Sequence, residues 1–151
     1  MPRMRSAGVI VWKNRAFVPS QAITDSGLLM QVDPVYELEL SAEALGPVLY
    51  RVLTSELPRI KNQTQSEWRT RKDPVLVKTG AKSWRELARM GAGGGIAEVP
   101  DGYLVSFSRR TSKGDWQEDL GRRKHFPSST LFAELTKVLL DGLLSSEKVS
   151  G

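Results

Sequence analysis

The sequence predicts an α+β fold in which a mainly antiparallel sheet of about five to six strands packs against two to four helices, the last of them C-terminal. Three observations carry this reading. Residues 9–40 hold β-branched and aromatic runs separated by turn residues. Apolar residues recur at helical spacing over 42–57 and again over 129–144. Between those helices lies a second alternating pair hinged on Pro100-Asp101-Gly102. A chain of 151 residues is the length of one domain, able to bury about 68–70% of its unfolded surface around one core. Residues 1–151 are therefore read as a single globular domain, with flexible tails expected at 1–6 and 146–151.

Val9-Ile10-Val11-Trp12 and Ala16-Phe17-Val18 read as a hairpin turned at Lys13-Asn14-Arg15, with Pro19 ending the second strand. After the turn Thr24-Asp25-Ser26-Gly27, residues 28–32 form a strand of buried type, Asp33-Pro34 breaks the run, and 35–40 alternate. The alternation sets Tyr36, Leu38 and Leu40 against Glu37 and Glu39, which predicts a sheet with one wet side. Ser41 suits the cap of a helix beginning at Ala42, with Glu43 near its positive end. Pro47 predicts a kink, or an effective start near Gly46.

Residues 59–74 are polar and basic, and read as a long loop or a short surface helix around 66–70. Val75-Leu76-Val77 is a short apolar piece closed by Gly80. Ser83-Trp84-Arg85-Glu86 has capping-box spacing and announces a helix that stops at Gly91. The tract Gly91-Ala92-Gly93-Gly94-Gly95 is expected to be a flexible connector into the strand pair 96–99 and 103–108. Residues 111–121 read as a loop and 122–126 as a final short strand. The last helix takes a broad apolar stripe from Leu131, Phe132, Leu135, Val138, Leu139 and Leu143.

With no cysteine and one histidine, the chain builds no disulfide, thiolate zinc site or cysteine nucleophile, so no metal and no cofactor is expected. The run 7–12 is too short for a signal-peptide core or a membrane span. A cytoplasmic location without membrane contact is the expectation, and the match of Asn62-Gln63-Thr64 to a glycosylation sequon is then chance.

Twenty-two Lys and Arg against 17 Asp and Glu leave a net charge of +5. The excess is unevenly placed. Residues 19–58 hold six acids against Arg51 alone, a local −5, whereas 59–89 hold nine bases against three acids, a local +6. That polarity bears on partners, not on fold.

Two glycine signals fail as nucleotide sites on spacing. In Gly80-Ala81-Lys82-Ser83 an alanine separates Gly from Lys, and the tract at 91–95 follows a helix instead of a strand. His125, in Arg122-Arg123-Lys124-His125, has the chemistry of a general base beside cations, but with no other histidine a carboxylate, lysine or tyrosine would have to serve as the second acid–base group, and a strand-edge or surface histidine is the plainer reading. Bases interleaved with Trp68 and Trp84, and Arg109, Arg110 and Lys113 beside Trp116, have the makings of a nucleic-acid surface. Trp84 sits with Leu87, Ala88 and Met90, where a core role is expected; Trp68 and Trp116 are the better candidates for exposed rings.

Trp12-Lys13-Asn14-Arg15-Ala16-Phe17-Val18-Pro19, Thr24-Asp25-Ser26-Gly27 with Asp33-Pro34-Val35, and the run from Val75 to Trp84 are similar to stretches of a group of small bacterial proteins. Some of these are labelled immunity proteins of contact-dependent growth inhibition systems. The resemblance implies a non-enzymatic cytoplasmic antidote, a monomer that binds the cognate toxin domain one to one and blocks its active site. It supplies no catalytic residues. Antidotes of nuclease toxins are commonly acidic, and this chain is basic. The expected contacts are therefore Arg71, Lys72, Arg109, Arg110, Lys113 and Trp116 against an acidic toxin face, with Glu37 and Glu39 as the acidic alternative. A basic nucleic-acid or ribonucleoprotein-binding module is the other reading.

Overall fold

A computed structural model describes residues 5–150, with side chains from 5 to 145; of the tails expected at 1–6 and 146–151, residues 1–4 and 151 lie outside the described residues, the first strand begins at Ser6 and the last helix runs to Ser150. The architecture is α+β. Strands β1 (Ser6–Trp12) and β2 (Arg15–Thr24) form the expected hairpin, turned by Lys13 and Asn14 with φ of 48° and 66°, the left-handed pair that matches strand twist. β2 does not end at Pro19. Its pairing with β3 (Leu29–Glu39) shifts register between Pro19 and Ser20, and such an irregularity accommodates a residue with no N–H to give the ladder. β3 also runs through Asp33-Pro34, so the expected break lies inside one strand.

Helix α1 (Ala42–Thr54) starts where Ser41 places it, the hydroxyl accepting from the Ala44 amide at 3.2 Å. The helix neither restarts near Gly46 nor loses its stripe at Pro47: Leu45, Leu49, Val52 and Leu53 are buried, and the ring of Pro47 faces solvent. The two-residue β4 (Arg59–Ile60) lies parallel to β2, followed by α2 (Gln65–Thr70), which buries nothing and is held by its Thr64–Glu67 capping box.

The apolar piece 75–77 is helical, in α3 (Pro74–Thr79). Asp73 accepts from the Val75 and Leu76 amides at 2.9 and 3.4 Å, and Gly80 closes the helix at φ 79°. In α4 (Trp84–Met90) Ser83 caps the Glu86 amide as expected, but the Glu86 carboxylate accepts from Lys82 instead of returning to Ser83.

The glycine tract is a strand. β5 (Ala92–Val99) pairs antiparallel with β1 on one side and β6 (Gly102–Arg110) on the other, at the centre of the order β3-β2-β1-β5-β6-β7, with β7 at Trp116–Glu118. The missing side chains let a helix come close. A Cβ on Gly94 would stand 2.7 Å from the Ser106 carbonyl oxygen and 3.0 Å from Leu139 Cδ1. After a 3-10 turn at Leu120–Arg122, β8 (Lys124–Pro127) adds to β6, and α5 (Phe132–Ser150) returns across the sheet. Leu131, which precedes α5, is 67% exposed and does not join its stripe.

Tyr36, Leu38 and Leu40 pack on the core and Glu37 and Glu39 are exposed, as the alternation predicts, but the wet side does not extend over the sheet, which carries a core on each face. On one face α1 and α5 meet Val9, Val11, Ala16, Val18, Ile96, Val105 and Phe107. Leu135, Leu139 and Leu143 of α5 are each 0% exposed, and burial of such a side chain is worth about 1.5–3 kcal/mol. On the other face Ile10, Trp12, Phe17 and Val35 pack under Val75, Ala81 and Leu87 from the α3–α4 segment. β3 is a free edge, with Arg71 donating to the outer carbonyl of Gln31 at 2.5 Å.

Candidate functional site

The second face brings α4 beside the β6–β7 hairpin and opens two adjoining clefts between them. The first, about 560 Å³, is lined by Lys82, Arg85 and Arg89 on the helical side and by Arg110 and Lys113 on the hairpin side. The second, about 640 Å³, shares Arg89 and Arg110 and adds Arg109, Trp116 and Arg122. Arg122 is held structurally, donating to the Gly142 carbonyl at 2.8 Å with its guanidinium 4.3 Å from the Phe107 ring.

The hairpin loop is braced from within. The Thr111 amide donates to the Asp115 carbonyl at 2.8 Å, its hydroxyl bonds the Asp115 carboxylate, and Gly114 turns the chain at φ 91° against the side chain of Arg85. Trp116 stacks edge-on against Trp84 with ring centroids 6.2 Å apart, and fills the space that Gly93 leaves open. Trp84 donates its Nε1–H to Asp73 at 2.9 Å, which ties α4 back to the cap of α3. The walls of the cleft thus rest on an aromatic pair and a buried-edge hydrogen bond.

The acids at this end are already engaged. Glu86 accepts from the Lys82 amide, Asp115 from Thr111, Asp119 from the Gly121 amide, and Glu118 forms an ion pair with Arg123 at 2.5 Å. Among the described residues, the ion pairs are those of Arg5, Arg15, Arg123 and His125. None of them uses a cation of the first cleft. The result is a concave surface of positive potential, the arrangement that concentrates anionic groups and speeds their encounter.

The structure gathers Arg109, Arg110, Lys113 and Trp116, as their nearness in sequence suggested, and adds Lys82, Arg85 and Arg89. The latter were legible only as part of a basic stretch; the more specific signal was their spacing, since Arg85 and Arg89 stand one helical turn apart with Lys82 at the start of the same segment. Arg71 and Lys72 lie elsewhere, beside β3, where Arg71 also stands 5.8 Å over Trp68. Trp68 is exposed at 45%, but Trp116 is partly buried. Glu37 is paired with Arg15 at 3.1 Å, and Glu39 is exposed on the same strand.

His125 is on β8, away from the cleft, with its Nε2 3.1 Å from Asp101 Oδ1. Its hydrogen bond, with the Asp101 backbone amide and the charge of the imidazole behind it, holds the Asp101 carboxyl below the usual aspartate range. A lowered carboxyl favours the folded state above the ordinary aspartate range, and that contribution is lost as pH falls through the lowered value. His125→Ala is expected to raise the Asp101 titration midpoint, followed by carboxyl-carbon NMR. An unmoved midpoint would assign the shift to the backbone amide instead.

No group of three or more His, Asp or Glu residues among those described is placed to hold a metal ion. No helix among the described residues is long and apolar enough to cross a membrane.

No family model matches the sequence, and no curated protein matches it. Solved structures share the fold. A protein of unknown function from Neisseria meningitidis superposes with a TM-score of 0.65 at 13% identity, covering 95% of each chain. A chain of a CdiA-CT/CdiI toxin and immunity complex from Yersinia pseudotuberculosis superposes with a TM-score of 0.60 at 15% identity, covering 96% of this chain and 98% of the other.

Proposed function

We propose that this chain is an immunity protein that binds the C-terminal toxin domain of a contact-dependent growth inhibition effector and neutralises it in the cytoplasm, one monomer per toxin domain, without catalysing a reaction. The observation that carries the reading is the end-to-end likeness of its fold to a chain of a toxin and immunity complex. The charged cleft supports it: a blocking protein needs a stable scaffold and a complementary surface, and charge speeds encounter while excluding wrong partners. The contacts proposed are Arg109, Arg110, Lys113 and Trp116, with Arg71 and Lys72 as a second basic set and Glu37 and Glu39 as the acidic alternative.

The gene beside this one is expected to encode a toxin domain, and co-expression of the two to restore growth and to yield a complex that co-purifies at one to one. Continued toxicity together with no complex would sink the proposal. A nucleic-acid or ribonucleoprotein-binding module is the second reading, and the unpaired cations favour it. It predicts RNA affinity that falls steeply with salt as counterions are released.

A further inference from the structure

We infer that the cleft between α4 and the β6–β7 hairpin docks an acidic segment of the toxin domain, a stretch presenting several Asp or Glu carboxylates. The inference rests on the antitoxin reading and names the partner's chemistry at the site.

Lys82, Arg85, Arg89, Arg110 and Lys113 surround the first cleft, Arg109 joins Arg89 and Arg110 in the adjoining one, and none of the described ion pairs includes any of the six. Nothing in the fold calls for that arrangement. Six like charges on two facing walls repel one another, whereas the same residues spread over the surface would serve solubility equally well. The carboxylates that line the clefts, Glu86 in the first and Asp119 in the second, accept from backbone amides and keep their charge, but the first cleft sets five cations against that one acid. The surplus is left for a group from outside, and a guanidinium group, as on Arg85, Arg89, Arg109 and Arg110, is suited to bind a carboxylate.

Two observations favour a polypeptide over a nucleic acid. Base stacking needs an open aromatic face, and the cleft's indole, Trp116, is turned edge-on into Trp84 and seated over Gly93. The exposed indole, Trp68, lies on the β3 side of the molecule with Arg71 over its ring. The first cleft, at about 560 Å³, has room for a few side chains of a protruding segment.

The test measures the dissociation constant of the toxin domain encoded beside this gene for the wild-type protein, for Arg89→Glu/Arg110→Glu, and for Lys137→Glu on the exposed side of α5, outside the cleft and outside the proposed contacts. The double reversal is expected to weaken binding by at least about 100-fold and to flatten its salt dependence between about 50 and about 500 mM, with Lys137→Glu changing it less than about threefold. Melting temperatures check folding, and Arg85→Glu/Lys113→Glu, from the other corners of the cleft, provides an independent reversal with the same expected loss. Binding by both reversals as tight as wild type overturns the docking site and leaves the antitoxin reading standing. No binding and no growth rescue by the wild-type protein overturns that reading and the docking site with it. Displacement of the toxin domain by single-stranded oligouridine at about 150 mM salt, through the same cations, would reassign the cleft to RNA and overturn the inference.

Discussion

Gly94→Val is expected to destabilise the protein by about 3 kcal/mol or more, at the upper end of what overpacking costs. The position is central to the sheet, between β1 and β6, and α5 lies directly over it. A Cβ there meets the Ser106 carbonyl oxygen at 2.7 Å, a backbone atom that cannot swing aside, as well as Leu139 Cδ1 at 3.0 Å and Leu143 Cδ2 at 3.3 Å. Strand propensity alone would make valine an improvement over glycine by a fraction of about 1 kcal/mol. Denaturant midpoints decide between the two: a variant as stable as wild type would mean that α5 does not sit where its packing places it.

Leu139→Ala should cost about 2–5 kcal/mol, the range for a leucine truncated in a close-packed core. Leu139 is 0% exposed and lies between Leu135 and Leu143 on the face that α5 turns to the sheet. The cavity it leaves is walled by sheet and helix backbone, so collapse around it is limited. The two sites touch, so their effects should not add. Combining Leu139→Ala with Gly94→Ala removes the 3.0 Å contact but keeps the 2.7 Å clash with Ser106. The double variant is expected to lose less than the sum of the singles while remaining less stable than either.

What could be read from the sequence was what short-range chemistry determines. Ser41 and Ser83 stand at the helix starts they cap, Lys13-Asn14 makes its hairpin, and Pro100-Asp101-Gly102 turns β5 into β6. Misread elements share a different cause, in which distant packing outweighs local preference. Gly91-Ala92-Gly93-Gly94-Gly95 has the composition of a linker; it is held as a strand by β1, β6 and the helix that glycine admits. Val75 and Val77 lean toward strand, yet Asp73, Pro74 and Gly80 frame a helix between them and the second core takes Val75. That second core was visible in principle. Val9-Ile10-Val11-Trp12 is apolar at every position, the pattern of a strand buried on both faces.

The site was legible to the extent that it is local. Arg109, Arg110, Lys113 and Trp116 fall on one hairpin, so proximity in sequence is proximity in space. Arg85 and Arg89 reach the same cleft only because Leu87 anchors the opposite side of α4 in the second core. No pattern in residues 82–89 says which hairpin they will face.

The free edge at β3 bears on how the protein keeps company with itself. An uncovered strand invites a second copy to extend the sheet, and repeated addition makes a filament. Here the strand carries Asp33, Glu37 and Glu39, its proline offers no N–H, and Arg71 occupies the outward carbonyl of Gln31. Two such edges meeting antiparallel would bring carboxylates toward carboxylates across the new ladder. The acidic stretch of the chain therefore has a task that involves no partner: it keeps this edge from serving as a template on which further copies could lengthen the sheet.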